Sequence, residues 1–411
     1  MKLKRLIILI LVNILLLFNS SFVFATSKKP DITSSAAILI DNKTGKILYS
    51  KNENKKMYPA SITKIITAIL TLENCNLDEV VTVSYNAVMS IPEGYSSASL
   101  QIDERLTVEQ LLQVLLIHSA NDAANALAEH VGGSIESFVS MMNTKVDELG
   151  LSNTHFTNSF GMHNDDHYTT AQDIATMMKY CIKNKEFRKL AGSASCAIPA
   201  TNKYGTRTYT STNELIIPDN NNYYPYLTSG KTGYTSQAGD CLVSCSYKDD
   251  LELICVILGG KTINDVSTRF SETKALYEYG YNNYSVKNII NENDVVTQIE
   301  IPNGTKDTKN LDLLANSSIS ALLKNNISED EITLEINLKD NIKAPIEQKD
   351  ILGSATYIID GIEYKTDLMA SHTVEKSKTL NYILEIGIGI IILFSALIYK
   401  IFFYEKMKDI I

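Results

Sequence analysis

YPASITKIITAIL, residues 58–70, is the stretch from which the chain is best read. Ser61 and Lys64 stand three residues apart at the start of an apolar-periodic run, a spacing that stacks a hydroxyl and an amine on one helical face. Pro59 suits the first turn of a helix, so Ser61 is expected near the positive N-terminal end. An amine held uncharged beside a serine activates it as a nucleophile. S-x-x-K also occurs at many ordinary helix starts, so the rest of the chain decides its meaning.

The chain has 411 residues, 45% of them apolar, enough for two or three domains with a sizeable core. The net charge of −9 and the absence of a basic stripe argue against a nucleic-acid partner. The 22 tyrosines scatter through strands and loops and read as packing. The N-terminus has a basic start (Lys2, Lys4, Arg5), an apolar run Leu6–Phe18 and then Val23-Phe24-Ala25, the order of a secretory signal peptide, residues 1–25. Tyr382–Tyr404 is apolar apart from Glu385 and Lys400; its first eighteen residues would span about 27 Å as a helix, close to hydrocarbon thickness. A transmembrane helix over 382–404 is therefore expected, with 405–411 as a cytoplasmic tail; Lys400, Lys406 and Lys408 fit that orientation. The chain should be a single-pass protein of the cell membrane with its body on the extracytoplasmic side. Six cysteines in that body allow fifteen pairings, and the spacing selects none; mostly free, buried thiols are expected.

Ala36–Asp41 and Lys46–Lys51 read as a hairpin around Asn42-Lys43-Thr44-Gly45. Helices follow from Ser61 to about Leu72, after the Thr107/Gln110 capping box, over Asp122–His130, from Ser134 to Leu149, and from Thr170 to about Lys183. Tyr226–Tyr234, Gly239–Tyr247 and Leu251–Leu258 read as neighbouring strands, and Asp265–Tyr281 as a helix. A helical block bracketed by strands implies an α/β or α+β sandwich whose sheet is assembled from remote segments. From about Tyr284 the period changes to two: Val295–Ile301, Ile332–Leu338 and Ile362–Leu368 alternate as half-buried strands should. Expected domains are thus a catalytic domain at 26–285, a small all-β domain at 286–370 and a linker at 371–381 before the anchor.

Two further stretches join S-x-x-K: Ser119-Ala120-Asn121 in HSANDAANALAEH, between two helices, and Lys231-Thr232-Gly233 in SGKTGYT, on a strand. S-x-x-K, S-D-N and K-T-G form the signature of penicillin-binding proteins and class A β-lactamases. YPASITKIITA, LLIHSANDAANALAEHVGG, MMNTKVDELGLSNTHFTNSFGM, HYTTAQDIA and GKTGYTSQAGDCLV resemble the serine D-Ala-D-Ala carboxypeptidases, the low-molecular-mass penicillin-binding proteins of peptidase family S11, over residues 34–285.

The resemblance implies a transpeptidase-type α/β fold and a substrate, the peptidoglycan stem peptide ending in D-Ala-D-Ala, with β-lactams as inhibitors. It implies Ser61 as nucleophile, Lys64 as its base and Ser119 as proton relay. Asn121 would orient Lys64 and bind the substrate amide, while Lys231, Thr232 and Gly233 would receive the terminal carboxylate. The oxyanion hole maps to the backbone N–H groups of Ser61 and Tyr234. No cofactor or metal is needed for this chemistry. Lys64 must be neutral to act as base, which burial and the nearby charge of Lys231 promote.

The middle motif is S-A-N, which suits carboxypeptidases better than class A β-lactamases, and no E-x-x-L-N stretch supplies the latter's deacylating glutamate. Where some relatives carry an arginine after the paired glycines, Gly259-Gly260 is followed by Lys261. His163, Asp165, Asp166 and His167 crowd one loop but lack helical ligand spacing. His118 is expected to pack at its helix end, and the resemblance implies that Asn213, in STNELI, lies near the site. An endopeptidase, a β-lactamase and a non-catalytic penicillin-binding scaffold are the rival functions; the intact Ser61, Lys64, Ser119, Asn121 and Lys231 argue against the last.

Overall fold

The computed structural model describes residues 28–264, 266–328, 331–377 and 379–408; the expected signal peptide, residues 1–25, lies outside them. The chain divides between Ser285 and Val286 into two compact units.

The first unit is built on a five-stranded antiparallel sheet. Its strands are β1 (Ala36–Asp41), β2 (Ile47–Lys51), β3 (Leu227–Thr235), β4 (Gly239–Lys248) and β5 (Leu251–Gly260), ordered β2-β1-β5-β4-β3. The N-terminal hairpin thus pairs with the last strand, Ala36 opposite Leu258 and Asp41 opposite Leu253. Every residue of β1 is buried, because both faces of the sheet are covered. Ile38, Ile40, Ile254 and Val256 point into the helical core. The alternate residues Leu39 and Leu253 close on Gly280 of α6 (Thr268–Asn283), where an added Cβ would lie 2.6 Å from Leu253.

The helical layer centres on α1 (Lys64–Asn74), buried from Lys64 through Thr71. A helix covered all round is apolar all round, and its polar side chains are satisfied: Thr67 Oγ1 donates to the Ser159 carbonyl at 2.5 Å and Thr71 Oγ1 to Thr67 O at 2.8 Å. Around it lie α2 (Val108–Gln113), α3 (Asn121–Gly132), α4 (Ile135–Glu148) and α5 (Ala171–Cys181). The Thr107/Gln110 capping box forms at the head of α2. Gly133 ends α3 at φ 75°, and Thr170 Oγ1 caps α5 through Asp173 N at 3.0 Å. All six cysteines are free, five of them buried.

The second unit holds β6 (Val295–Glu300), β7 (Asn310–Ala315), β8 (Ile332–Leu338), β9 (Ile351–Ile359) and β10 (Ile362–Ala370), an antiparallel sheet ordered β6-β7-β10-β9-β8. Leu311, Leu313, Ala355 and Leu368 build its core. The expectation that Ile332–Leu338 is half-buried is corrected here. It is an edge strand, and its apolar residues Leu334 and Leu338 are each 42% exposed. The stretch read as an anchor falls in α7 (Thr379–Lys408). Among the described residues no helix is long and apolar enough to cross a membrane.

Candidate active site

Ser61 lies not in an α-helix but in a 3₁₀ turn, Ala60–Thr63, ahead of α1. The reason is tertiary. Ala60 takes the left-handed conformation at φ 48°, unusual for a residue with a Cβ. Gly161 crosses so close that a Cβ on it would sit 1.8 Å from the Ala60 carbonyl oxygen. A second close approach comes from β3, where a Cβ on Gly233 would lie 2.9 Å from Ser61 N. A helix-start reading, which sees only local sequence, has no access to these contacts.

The turn still brings the two side chains together. Lys64 Nζ donates to Ser61 Oγ at 2.9 Å and to the Phe160 carbonyl at 2.9 Å. Lys64 is fully buried; burial first, and the charge of Lys231 second, hold its pKa well below the ordinary lysine value, while Asp122 opposes them. Lys231 Nζ, on β3, donates to Ser119 Oγ at 2.9 Å and to the Thr232 carbonyl at 2.8 Å. Burial, then the Arg269 guanidinium, lower Lys231 to about 7.

Ser119 follows one turn of π-helix, Val114–His118, and stands at φ 66°. Such turns recur at functional sites because they re-aim a side chain without ending the fold. Asn121 opens α3. Its Oδ1 is buried with no hydrogen-bond partner among the described residues, an acceptor left for an incoming N–H. Lys64 is held by the Phe160 carbonyl, and the bond to Asn121 that the resemblance implied is not made. Thr232 Oγ1 meets Thr212 Oγ1 at 2.5 Å, and Tyr234 is 63% exposed. In front of Ser61 opens a cleft of about 420 Å³ lined by Tyr95, Ser96, Asn121, Phe160, Tyr234 and Gln237.

Four supporting groups escaped the sequence reading. Asp122, next to Asn121, accepts from Ala98 N at 3.0 Å, Leu100 N at 3.0 Å and Ser97 Oγ at 2.6 Å, tying down the loop beside the cleft. Phe160 supplies its carbonyl. Arg269, on α6, donates to the Gly233 carbonyl at 3.1 Å and lies 3.5 Å from Asp240. It brings a guanidinium to the K-T-G strand, whereas Lys261 is exposed.

His167 is the fourth. In the loop that tempted a metal reading, it turns inward and is buried. Thr157 N donates to its Nδ1 at 3.0 Å, so Nε2 carries the hydrogen and donates to Thr63 Oγ1 at 2.8 Å. Thr63 Oγ1 in turn donates to the Ala60 carbonyl at 2.8 Å, bracing the Ser61 turn. Burial pushes His167 down to about 3. His118 packs on Tyr209 with ring centroids 4.9 Å apart, and Asn213 is buried with its Oδ1 accepting from Leu215 N at 3.2 Å.

A serine bonded to a buried, deprotonation-prone lysine, with a second lysine and serine opposite, is the machinery of an active-serine acyl-transfer enzyme. Residues 23–262 match the D-alanyl-D-alanine carboxypeptidase family of S11 peptidases, and residues 284–376 match the C-terminal domain of penicillin-binding protein 5. The chain belongs to that carboxypeptidase family. It is 33% identical over 369 residues to D-alanyl-D-alanine carboxypeptidase DacF of Bacillus subtilis (strain 168), covering 87% of this chain and 91% of the relative. Against penicillin-binding protein 5 of Haemophilus influenzae the TM-score is 0.65 at 26% identity, over 85% of this chain and all of that one. Against the peptidoglycan synthesis regulatory factor PBP3 of Streptococcus pneumoniae it is 0.66 at 26% identity, over 84% of this chain.

Proposed function

We infer that Ser61 is the nucleophile through which this D-alanyl-D-alanine carboxypeptidase shortens peptidoglycan stem peptides. The observation that carries this is the pair of contacts, Lys64 Nζ to Ser61 Oγ and Lys231 Nζ to Ser119 Oγ, each 2.9 Å. Ser61 Oγ attacks the carbonyl between the two D-alanines, and its proton passes to neutral Lys64. The oxyanion forms between the backbone N–H groups of Ser61 and Tyr234, where fixed dipoles contribute most. The C–N bond breaks as Ser119 hands a proton to the departing D-Ala amine and is refilled with the proton that Lys64 took from Ser61, which leaves Lys64 neutral again. Water then attacks the ester, Lys64 taking its proton, and the shortened stem leaves as a carboxylate with Ser61 regenerated. Lys231 and Thr232 receive the substrate's terminal carboxylate, with Arg269 adding positive field, and Asn121 Oδ1 accepts from the substrate amide. A β-lactam enters the same acylation, and its ester deacylates slowly.

Release of D-Ala from a pentapeptide, and labelling by a fluorescent penicillin, should both be present in the purified chain and both be lost in Ser61→Ala. Labelling that persists in Ser61→Ala would remove Ser61 from its role; cross-linked dimers cleaved faster than pentapeptide would favour an endopeptidase.

We also propose that 1–25 is a signal peptide, 26–285 the catalytic domain, 286–370 the β-rich domain and 371–381 a linker, with 382–404 holding the body on the outer side of the cell membrane. The exposed apolar surface of α7, including Ile388, Ile391, Leu393 and Phe394, supports the last part. Protease added to intact cells should destroy the penicillin-labelled domain, and a chain ending at residue 375 should leave the membrane fraction.

A further inference from the structure

At the end of α1 remote from Ser61, three side chains of different chemistry converge. Cys75 is the C-terminal cap of α1, its N–H donating to Thr71 O at 3.0 Å. Glu79 follows four residues on, and His130 stands in the last turn of α3. One ligand atom from each lies within 4.8 Å of the other two, and His130 Nε2 is 3.1 Å from Glu79 Oε2. We propose that Cys75, Glu79 and His130 bind a divalent transition metal of the zinc class, with water completing the shell.

The donor set selects the ion. Thiolate, imidazole and carboxylate together suit zinc and disfavour calcium and magnesium, which take oxygen ligands. Bond lengths of about 2.0–2.3 Å place tetrahedral ligands about 3.3–3.7 Å apart, so the cluster must contract by roughly 1 Å at its widest.

Glu79 is already aimed. Asn76 N and Nδ2 donate to its Oε1 at 2.7 and 3.0 Å, which leaves Oε2 for the ion, the kind of support that orients metal-bound carboxylates. The Asn76–Glu79 turn is fixed by Glu79 N to Asn76 O at 3.3 Å and by Val108 N to Glu79 O at 2.9 Å. A surface His–Glu pair needs no third partner, and the cysteine at this spot is what an ion would use.

The position assigns the role. α1 starts at Lys64 and α3 at Asn121, and their 11 and 12 residues run about 16–18 Å from the catalytic ends to the cluster. An ion there is too far from Ser61 to touch substrate. It would clamp the distal ends of the two helices that carry the base and the substrate-amide acceptor, acting on stability and not on chemistry.

The test uses the full chain, freed of metal with a chelator and titrated with cobalt(II). One equivalent should produce a thiolate-to-cobalt charge-transfer band with d–d bands of tetrahedral intensity, and zinc should bleach both. Cys75→Ser and His130→Ala should each weaken cobalt binding by more than about tenfold, while Cys196→Ser should bind as wild type. Zinc should raise the thermal midpoint of the wild type and not of Cys75→Ser, with penicillin labelling unchanged in all. No band at one equivalent, a band of full strength in Cys75→Ser or His130→Ala, or an equal zinc shift in wild type and Cys75→Ser would overturn the proposal. His130→Ala alters an exposed side chain and keeps the test readable should Cys75→Ser fold poorly.

Discussion

Gly161→Ala is the sharpest single probe of how Ser61 is held. Gly161 stands at φ 91°, and an added Cβ would lie 1.8 Å from Ala60 O and 2.9 Å from Thr63 Oγ1. The first distance is about 1.5 Å short of ordinary contact. Both atoms belong to the Ser61 turn, and the neighbouring Phe160 carbonyl holds Lys64. The substitution must therefore drive the turn and the Phe160 segment apart, opening the Ser61–Lys64 contact. A misplacement of about 1 Å in a reacting constellation costs on the order of 10²-fold, so the second-order rate of penicillin acylation should fall by about that factor.

Stability should fall as well, by about 1 kcal/mol for the left-handed alanine and about 1–3 kcal/mol for the overlap. In a unit of this size that lowers the thermal midpoint by roughly 5–15 °C. Gly133→Ala separates the two causes. Gly133 also has a positive φ, 75°, but nothing lies within 4 Å of the added Cβ. It should lose only about 1 kcal/mol and acylate normally. A Gly161→Ala protein that is folded at the assay temperature and acylates within about threefold of wild type would refute this account of the turn.

Four other outcomes follow from the same site. Burial and the charge of Lys231 hold the Lys64 pKa well below the ordinary lysine value. Acylation should therefore level off before the ordinary lysine pKa near 10.4, and a tenfold rise per unit continuing through it would contradict Lys64 as base. Lys231 has a folded pKa of about 7, below its unfolded value near 10.4. Between those values the unfolded chain binds more protons, so this lysine's contribution to stability grows with pH across that window. Thermal midpoints of wild type minus Lys231→Met should rise from pH 7 to 10, and a flat or falling difference would count against burial as the cause. His167→Phe strands the Thr157 N–H and should cost about 1–3 kcal/mol, lowering both the thermal midpoint and acylation; an unchanged midpoint would show that the His167–Thr63 bond does not brace the turn. Arg269→Met should raise KM for a pentapeptide roughly tenfold with kcat nearly preserved, as the loss of one charged contact predicts. A fall confined to kcat would deny it a binding role.

Much of the fold can be read from residue order because its signals are local. The capping box at Thr107, the stop at Gly133 and the continuous apolar runs of β4 and β5 each declare their element. What the sequence hides is tertiary. Ser61 reads as a helix start because neither the Gly161 crossing nor the left-handed Ala60 leaves a mark within a few residues. The alternation of Ile332–Leu338 reports two faces, but whether either face is covered depends on the strand's place at the sheet edge. Arg269 reaches the K-T-G strand from α6, and only the packing of α6 on the sheet reveals that reach. His167 looked like one ligand among several because polar residues crowd its loop; its orientation is settled by one backbone N–H from Thr157.

The pairing of the N-terminal hairpin with the last strand of its sheet makes penicillin a folding probe. On the proposed mechanism Ser61 reacts only while β3 presses Gly233 against its turn, and β3 is held by β4 and β5, which β1 closes from the other end of the unit. Covalent labelling thus counts molecules in which the whole unit has assembled. In a dilution series from denaturant, the label should appear with the slowest pairing of remote strands and not with the earlier formation of helices.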